Sequence, residues 1–261
     1  MRERSLVREI AAYLPATFIP MAVGLAAALI YPRLFSPSVY GGYVLGLGSA
    51  TIATQVLGEW LGNSALRLFP EDKQRGEAHI FLASLFLCIG ATLLPALALM
   101  AALLAVAHNW SYIGPAFALV VATIPMRSMS SLVRAELRTR LYVVLTSAGA
   151  VVGLGVGLGF YFLTHKPELV LAGPALVALI QIGIIAFSDP TRKVVLQSFS
   201  TGPSFSKVRS ILQFGLPVAI TSLAAQSLLL ADRFMVAIFR GDAEAGLYNY
   251  RHRLYDPGEV R

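Results

Sequence analysis

Read for polar and apolar positions, the chain is a series of long uncharged stretches broken by short charged links. The clearest stretch lies between His79 and Arg127, where there is no Asp, Glu, Lys or Arg. Wound as one helix it would measure about 70 Å at 1.5 Å per residue, more than twice the roughly 30 Å hydrocarbon core of a bilayer. It therefore folds back, and Ala107-His108-Asn109-Trp110 supplies the turn. The same reasoning along the whole chain predicts about seven membrane spans: 11–32, 40–66, 80–107, 110–126, 141–163, 169–187 and one beginning at 211. Pro15 and Pro20 fall inside the first span, and Pro217 just inside the last. In membrane helices such prolines free carbonyls that neighbours or water must satisfy. The expected fold is an all-α polytopic membrane protein.

The links carry the orientation. Lys and Arg at the amino terminus and in the even-numbered links number 14 (Arg2, Arg67, Arg134 and Lys207 among them), against 3 in the odd-numbered links: Arg33, Lys166 and Arg240. Cytoplasmic loops hold the excess of Lys and Arg, so the amino terminus is expected in the cytoplasm. Six spans bring the chain back to that side, so the first and seventh run the same way. Leu14-Pro15 followed by Gly41-x-Tyr43 is echoed by Leu216-Pro217 followed by Gly246-x-Tyr248, with 26 residues from proline to glycine in the first copy and 29 in the second. Such a repeat would be parallel, with its axis along the membrane normal. The expected organisation is a six-helix lobe over 1–187, a cytoplasmic linker over 188–210 rich in Ser, Thr, Gly and Pro, and an incomplete second lobe from 211 to 261. After Tyr248 the chain is charged and is not expected to cross lipid.

Composition agrees. Apolar residues make up 56% of the 261 and charged ones 13%, about half the share a soluble domain carries. The net charge of +7 sits between the spans, which points to orientation in a membrane rather than to nucleic acid. Cys88 is alone and lies in an apolar run, so no disulfide or cysteine metal site forms within one chain. No cleavable signal peptide is evident. The histidines (His79, His108, His165 and His252) lie in links or near span ends without metal-ligand spacing. The glycine run 155–159 lacks the preceding strand and the following Lys-Ser/Thr of a nucleotide loop. No metal or cofactor is expected.

Candidate chemistry concentrates in the second span. Thr51, Gln55, Glu59, Asn63 and Arg67 recur every four residues, a slanting stripe that drifts about 40° per step. Glu59 lies about 12 Å along the axis from Arg67, well inside the span. An intramembrane carboxylate costs at least a few kcal/mol, so it normally faces a bundle interior or a water-filled cavity. One reading makes Glu59 a substrate or coupling-ion contact, with Arg67 drawing a diphosphate through its planar fork. The other is an internally neutralised helix whose Arg67 snorkels to the headgroups. Asp232 and Arg233 stand near the outer end of the seventh span; adjacent on a helix, they point about 100° apart. They read as a helix end, with one of them available to the lobe interface. Arg127, Arg134 and Arg138, spaced i, i+7, i+11, read as one face of a basic amphipathic segment over 127–140, held to anionic lipid or serving as a landing site for a lipid diphosphate. Gly149, Gly153 and Gly157, with Gly155 and Gly159 one face away, and likewise Gly58 and Gly62, read as close helix packing.

Three places resemble the oligosaccharide flippases of the polysaccharide-export (Wzx-type) branch of the multidrug/oligosaccharidyl-lipid/polysaccharide superfamily. They are Tyr40-Gly41-Gly42-Tyr43, Gly62-Asn63-Ser64-Ala65-Leu66-Arg67, and Ala231-Asp232-Arg233 followed by Gly246-x-Tyr248. The resemblance implies a two-lobe transporter of the bacterial inner membrane, with roughly twice the spans seen here. Its cargo would be a polyprenyl-diphosphate-linked sugar repeat unit for surface polysaccharide, carried without covalent chemistry and so by no enzyme. A proton- or sodium-coupled exporter of drugs or metabolites is the alternative within the superfamily. A truncated, inactive fragment is a further one. A membrane enzyme of glycan assembly fits poorly, because the expected outer links are all about ten residues or fewer and leave no room for an active-site domain.

Overall fold

The computed structural model describes residues 2–189 and 191–241, with side chains placed for 12–189, 191–226 and 235–241. Every regular element among them is helical. The helices are α1 (Arg2–Leu34), α2 (Pro37–Gln74), α3 (Ala78–Val106), α4 (Ile113–Ala135), α5 (Thr139–Thr164), α6 (Ala172–Phe187), α7 (Thr191–Thr201) and α8 (Phe205–Arg240), with 3-10 turns at Trp110–Tyr112 and Pro167–Leu171. Six are long and apolar enough to cross a membrane: α1, α3, α4 and α6 with their leading turns, α5, and α8. α2 is the longest at 38 residues and falls short only because of its polar positions. The chain is an all-α, multi-pass membrane protein.

The predicted hairpin at 107–110 is present, closed by a left-handed residue. His108 (φ 54°) follows α3, Gly76 (φ 77°) follows α2 and Leu137 (φ 57°) follows α4. In each case the next amide reaches back five residues: Glu77 to the Asp72 carbonyl, Asn109 to Leu104 and Arg138 to Val133, at 2.8 to 3.1 Å. This capping pattern satisfies carbonyls that the helix end would otherwise orphan.

Two groups of helices make up the bundle. α2 packs on α3, α4 and α8; α5 packs on α1 and α6; α4 against α6 joins the groups, while α1 barely touches α2. Small residues set the closest approaches, as the sequence pattern anticipates. Gly149, Gly153 and Gly157 meet Gln181, Pro174 and Val170, whereas Gly155 and Gly159 face open space. A Cβ on Gly173 would strike the backbone of Gly157. Gly58 and Gly62 lie against Ile124 and Ser131 of α4.

Even-numbered links gather at one end of the bundle and odd-numbered links at the other. At the first, basic end, Lys73 pairs with Glu136 at 2.6 Å, Lys207 with Asp72 at 2.5 Å, and Arg138 donates to Ser188 at 3.1 Å. At the opposite end Asn109 donates to the Gly42 carbonyl at 2.8 Å and Tyr112 to that of Val39 at 3.2 Å. Phe35 meets Tyr161 edge-on at 4.9 Å. Residues 110 and 200 therefore lie at opposite ends, as the expected alternation requires.

Two boundaries differ from expectation. The linker over 188–210 is mostly helical: α7 docks on α3 through the Phe86–Phe199 ring stack at 5.8 Å and the buried Val195 and Ser198, and α8 has already begun at Phe205. Its Ser, Thr, Gly and Pro content masks a short amphipathic helix. Nor is 127–140 a separate amphipathic segment. α4 runs on to Ala135, and the left-handed Leu137 then breaks the run.

Candidate functional site

All five polar positions lie on α2, but their surroundings differ. Thr51 and Thr54 donate to the carbonyls of Leu47 and Ala50, both at 2.7 Å, so those hydroxyls are used within their own helix. Gln55 and Asn63 are half-buried and Glu59 is exposed, and among the described residues none of the three has a side-chain hydrogen bond or ion pair. Arg67 pairs with Glu71 one turn on at 3.7 Å, with both side chains at least half exposed. Pairs of that kind contribute about 1 kcal/mol at most, and Arg67 stands at the surface rather than inside a pocket. Next to Glu59, α8 crosses α2: Ser64 donates to the Ile211 carbonyl at 3.2 Å, and Gly215 lies on the Trp60 ring. The side chains of Asp232 and Arg233, like Gly246 and Tyr248, lie outside the described residues.

A second polar locus emerges on α4, where Arg127 departs from its expected surface role. It lies eight residues before the end of the helix, about 12 Å inside it. It lines a cavity of about 290 Å³ between α2, α4, α5 and α6, together with Thr51, Ser130, Thr146 and Gln181. No ion pair or hydrogen bond to Arg127 exists among the described residues, although the Glu59 carboxylate acts on it electrostatically without pairing. Arg134 instead lies over the Tyr142 ring at 5.3 Å, and Arg138 turns to Ser188 and Thr191. The three arginines thus point to three different places. The spacing that grouped them assumes one continuous helix to residue 140.

A larger cavity of about 410 Å³ adjoins the first and shares Leu47, Thr51, Ala150 and Pro174 with it. Its other walls are α1, from Pro20 to Tyr31, and the start of α2, with Tyr40 and Tyr43 at its far end. It is apolar apart from the tyrosine hydroxyls and Thr51.

The third charged constellation is the Lys207 triad at the basic end. One ammonium bonds Asp72 at 2.5 Å and Glu77 at 2.7 Å, and Ser84 bonds both backbone groups of Ser204. The hydrogen bond and charge of Lys207 hold the Glu77 carboxyl below the usual carboxylate range. No group of His, Cys, Asp and Glu suited to a metal occurs among the described residues. Fold and sites together define a multi-pass helical membrane protein with polar and charged groups set inside its bundle. No family model, no curated protein and no solved structure matches the chain.

Proposed function

We propose that this chain acts in a two-lobe flippase of the bacterial inner membrane. It would carry polyprenyl-diphosphate-linked oligosaccharide units outward for surface polysaccharide, with the basic end and amino terminus in the cytoplasm. The observation that carries the reading is the unpartnered stripe of Gln55, Glu59 and Asn63, midway along a helix at the centre of the bundle. Bare hydrocarbon against an ionised carboxylate is too costly, so that face borders a wet passage. The physical task suits such a passage: a charged, hydrated headgroup must cross about 30 Å of hydrocarbon while its lipid tail stays in the bilayer. Rocking of two lobes around the passage achieves this without bond chemistry.

Vesicles containing the full chain and a fluorescent polyprenyl-diphosphate oligosaccharide test the reading. Label added to one leaflet becomes reachable from the other faster than in empty vesicles, and Glu59→Gln together with Asn63→Leu slows the exchange. Exchange no faster than in empty vesicles rejects it. Because Glu59 is unpaired, a cation-coupled exporter is the second reading. Loss of ion-driven uptake of a cationic dye in Glu59→Gln, with lipid exchange intact, favours that one. Tags at residues 110 and 200, probed in intact cells, test the orientation: only the first is expected to be reached from outside.

A further inference from the structure

The stripe on α2 leaves the two adjoining cavities unexplained. They form one trough along the bilayer normal. On α2 it reaches from Tyr40 to Thr54, about 21 Å at 1.5 Å per residue. Its cation, Arg127, stands toward the basic end, about 12 Å below the end of α4. Its apolar part runs away from that cation between α1, α2 and α5, past Val23, Ala27 and Leu154. Because α1 leans on α5 and barely touches α2, the trough borders the bilayer along the gap between α1 and α2.

Glu59 acts on Arg127 electrostatically but forms no ion pair with it, so an anion that can pair directly with this arginine inside the bundle is favoured, and a planar fork suits phosphate. A trough that is cationic toward one face and apolar toward the other matches an anionic phospholipid standing in its own leaflet. A hydrated oligosaccharide would need polar groups along α1, and there the trough offers only the Tyr31 hydroxyl, at its far end. We propose that this trough holds one anionic phospholipid of the leaflet at the basic end, its phosphate on Arg127 and one acyl chain between α1, α2 and α5. Thr146, which makes no side-chain hydrogen bond among the described residues, and the Gln181 amide oxygen flank Arg127 as further polar groups. The site stands whether or not the chain transports anything.

Native mass spectrometry of the purified full chain tests it, with phosphatidylglycerol, phosphatidylcholine, polyprenyl phosphate or inorganic phosphate added in turn. Phosphatidylglycerol binds one per chain and withstands activation; phosphatidylcholine and inorganic phosphate do not. Arg127→Gln weakens the phosphatidylglycerol complex about tenfold or more, the loss expected for a charge-assisted hydrogen-bonded pair. Arg127→Lys weakens it less, and Arg192→Gln on the exposed face of α7 leaves it unchanged. Equal binding of phosphatidylcholine, equal loss in Arg192→Gln, or tighter binding of polyprenyl phosphate overturns the assignment. Ala150→Trp, which fills the shared wall, gives an independent reading should Arg127→Gln fail to fold. It lowers affinity for long-chain but not dihexanoyl phosphatidylglycerol, and equal affinity for the long-chain form before and after overturns the proposal.

Discussion

The two ends of the bundle are held by different means. At the end holding Tyr31, Tyr40, Tyr43, Tyr112 and Tyr161, rings pack on rings and on glycine: Tyr31 meets Tyr43 at 4.8 Å, and Tyr112 fills the space over Gly42 and Gly46. No ion pair occurs there among the described residues. At the basic end ion pairs are added to such contacts: Lys207 of α8 meets Asp72 of α2 and Glu77 of the following link, and Lys73 of α2 meets Glu136 of the link after α4. Aromatic rings suit the membrane interface because one side of each is apolar and the other wet. The basic end shows that an excess of Lys and Arg does more than orient helices. Part of it neutralises buried acids such as Asp72 and Glu136 and thereby joins consecutive links.

The sharpest way to break this contrast is at the aromatic end. Tyr112→Ala empties the space over two glycines and is expected to lower the unfolding free energy by about 3 kcal/mol, read by denaturant titration in bicelles. The same titration should be insensitive to salt. Lys207→Met strands Asp72, whose side chain is 8% exposed, and is expected to cost about 2 kcal/mol, less than a fully buried pair because Lys207 itself reaches solvent. Adding Asp72→Asn should restore part of the loss; a purely additive double variant would show that the pair does not couple. Leu137→Gly relieves a left-handed leucine that is 82% exposed and should stabilise by about 1 kcal/mol, seen as a raised melting temperature. The smallest effect concerns Glu77. Its carboxyl titrates lower when folded, so its tie to Lys207 is complete above the usual carboxylate range and is lost as pH falls through the lowered value. Melting temperature should drop as pH falls below the ordinary Glu range of about 4.3, and less steeply in Glu77→Gln; identical slopes would remove Glu77 from the account.

Much of the architecture was legible because lipid leaves few choices. Uncharged run lengths gave the helices, the 108–109 turn and the alternation of ends, and the i, i+4 glycines gave the face of α5 that meets α6. The site was less legible. Gln55, Glu59 and Asn63 stood out because polar residues at helical spacing are rare in an apolar run. Arg127 was misread because a span counted by apolar residues stops at the first charge, whereas the helix does not. Only the left-handed Leu137 ends α4, and leucine carries no turn signal. The trough was invisible for a different reason: it arises where α1 fails to pack on α2, and an absent contact leaves no mark on either helix.

The meeting of Gly157 with Gly173 has a mechanical side. Where main chain rests on main chain no side chain can flex to cushion displacement, so α5 and α6 must travel as one body. α1 is fastened to that body through the Pro15 carbonyl and the Tyr13 hydroxyl, so it has to follow.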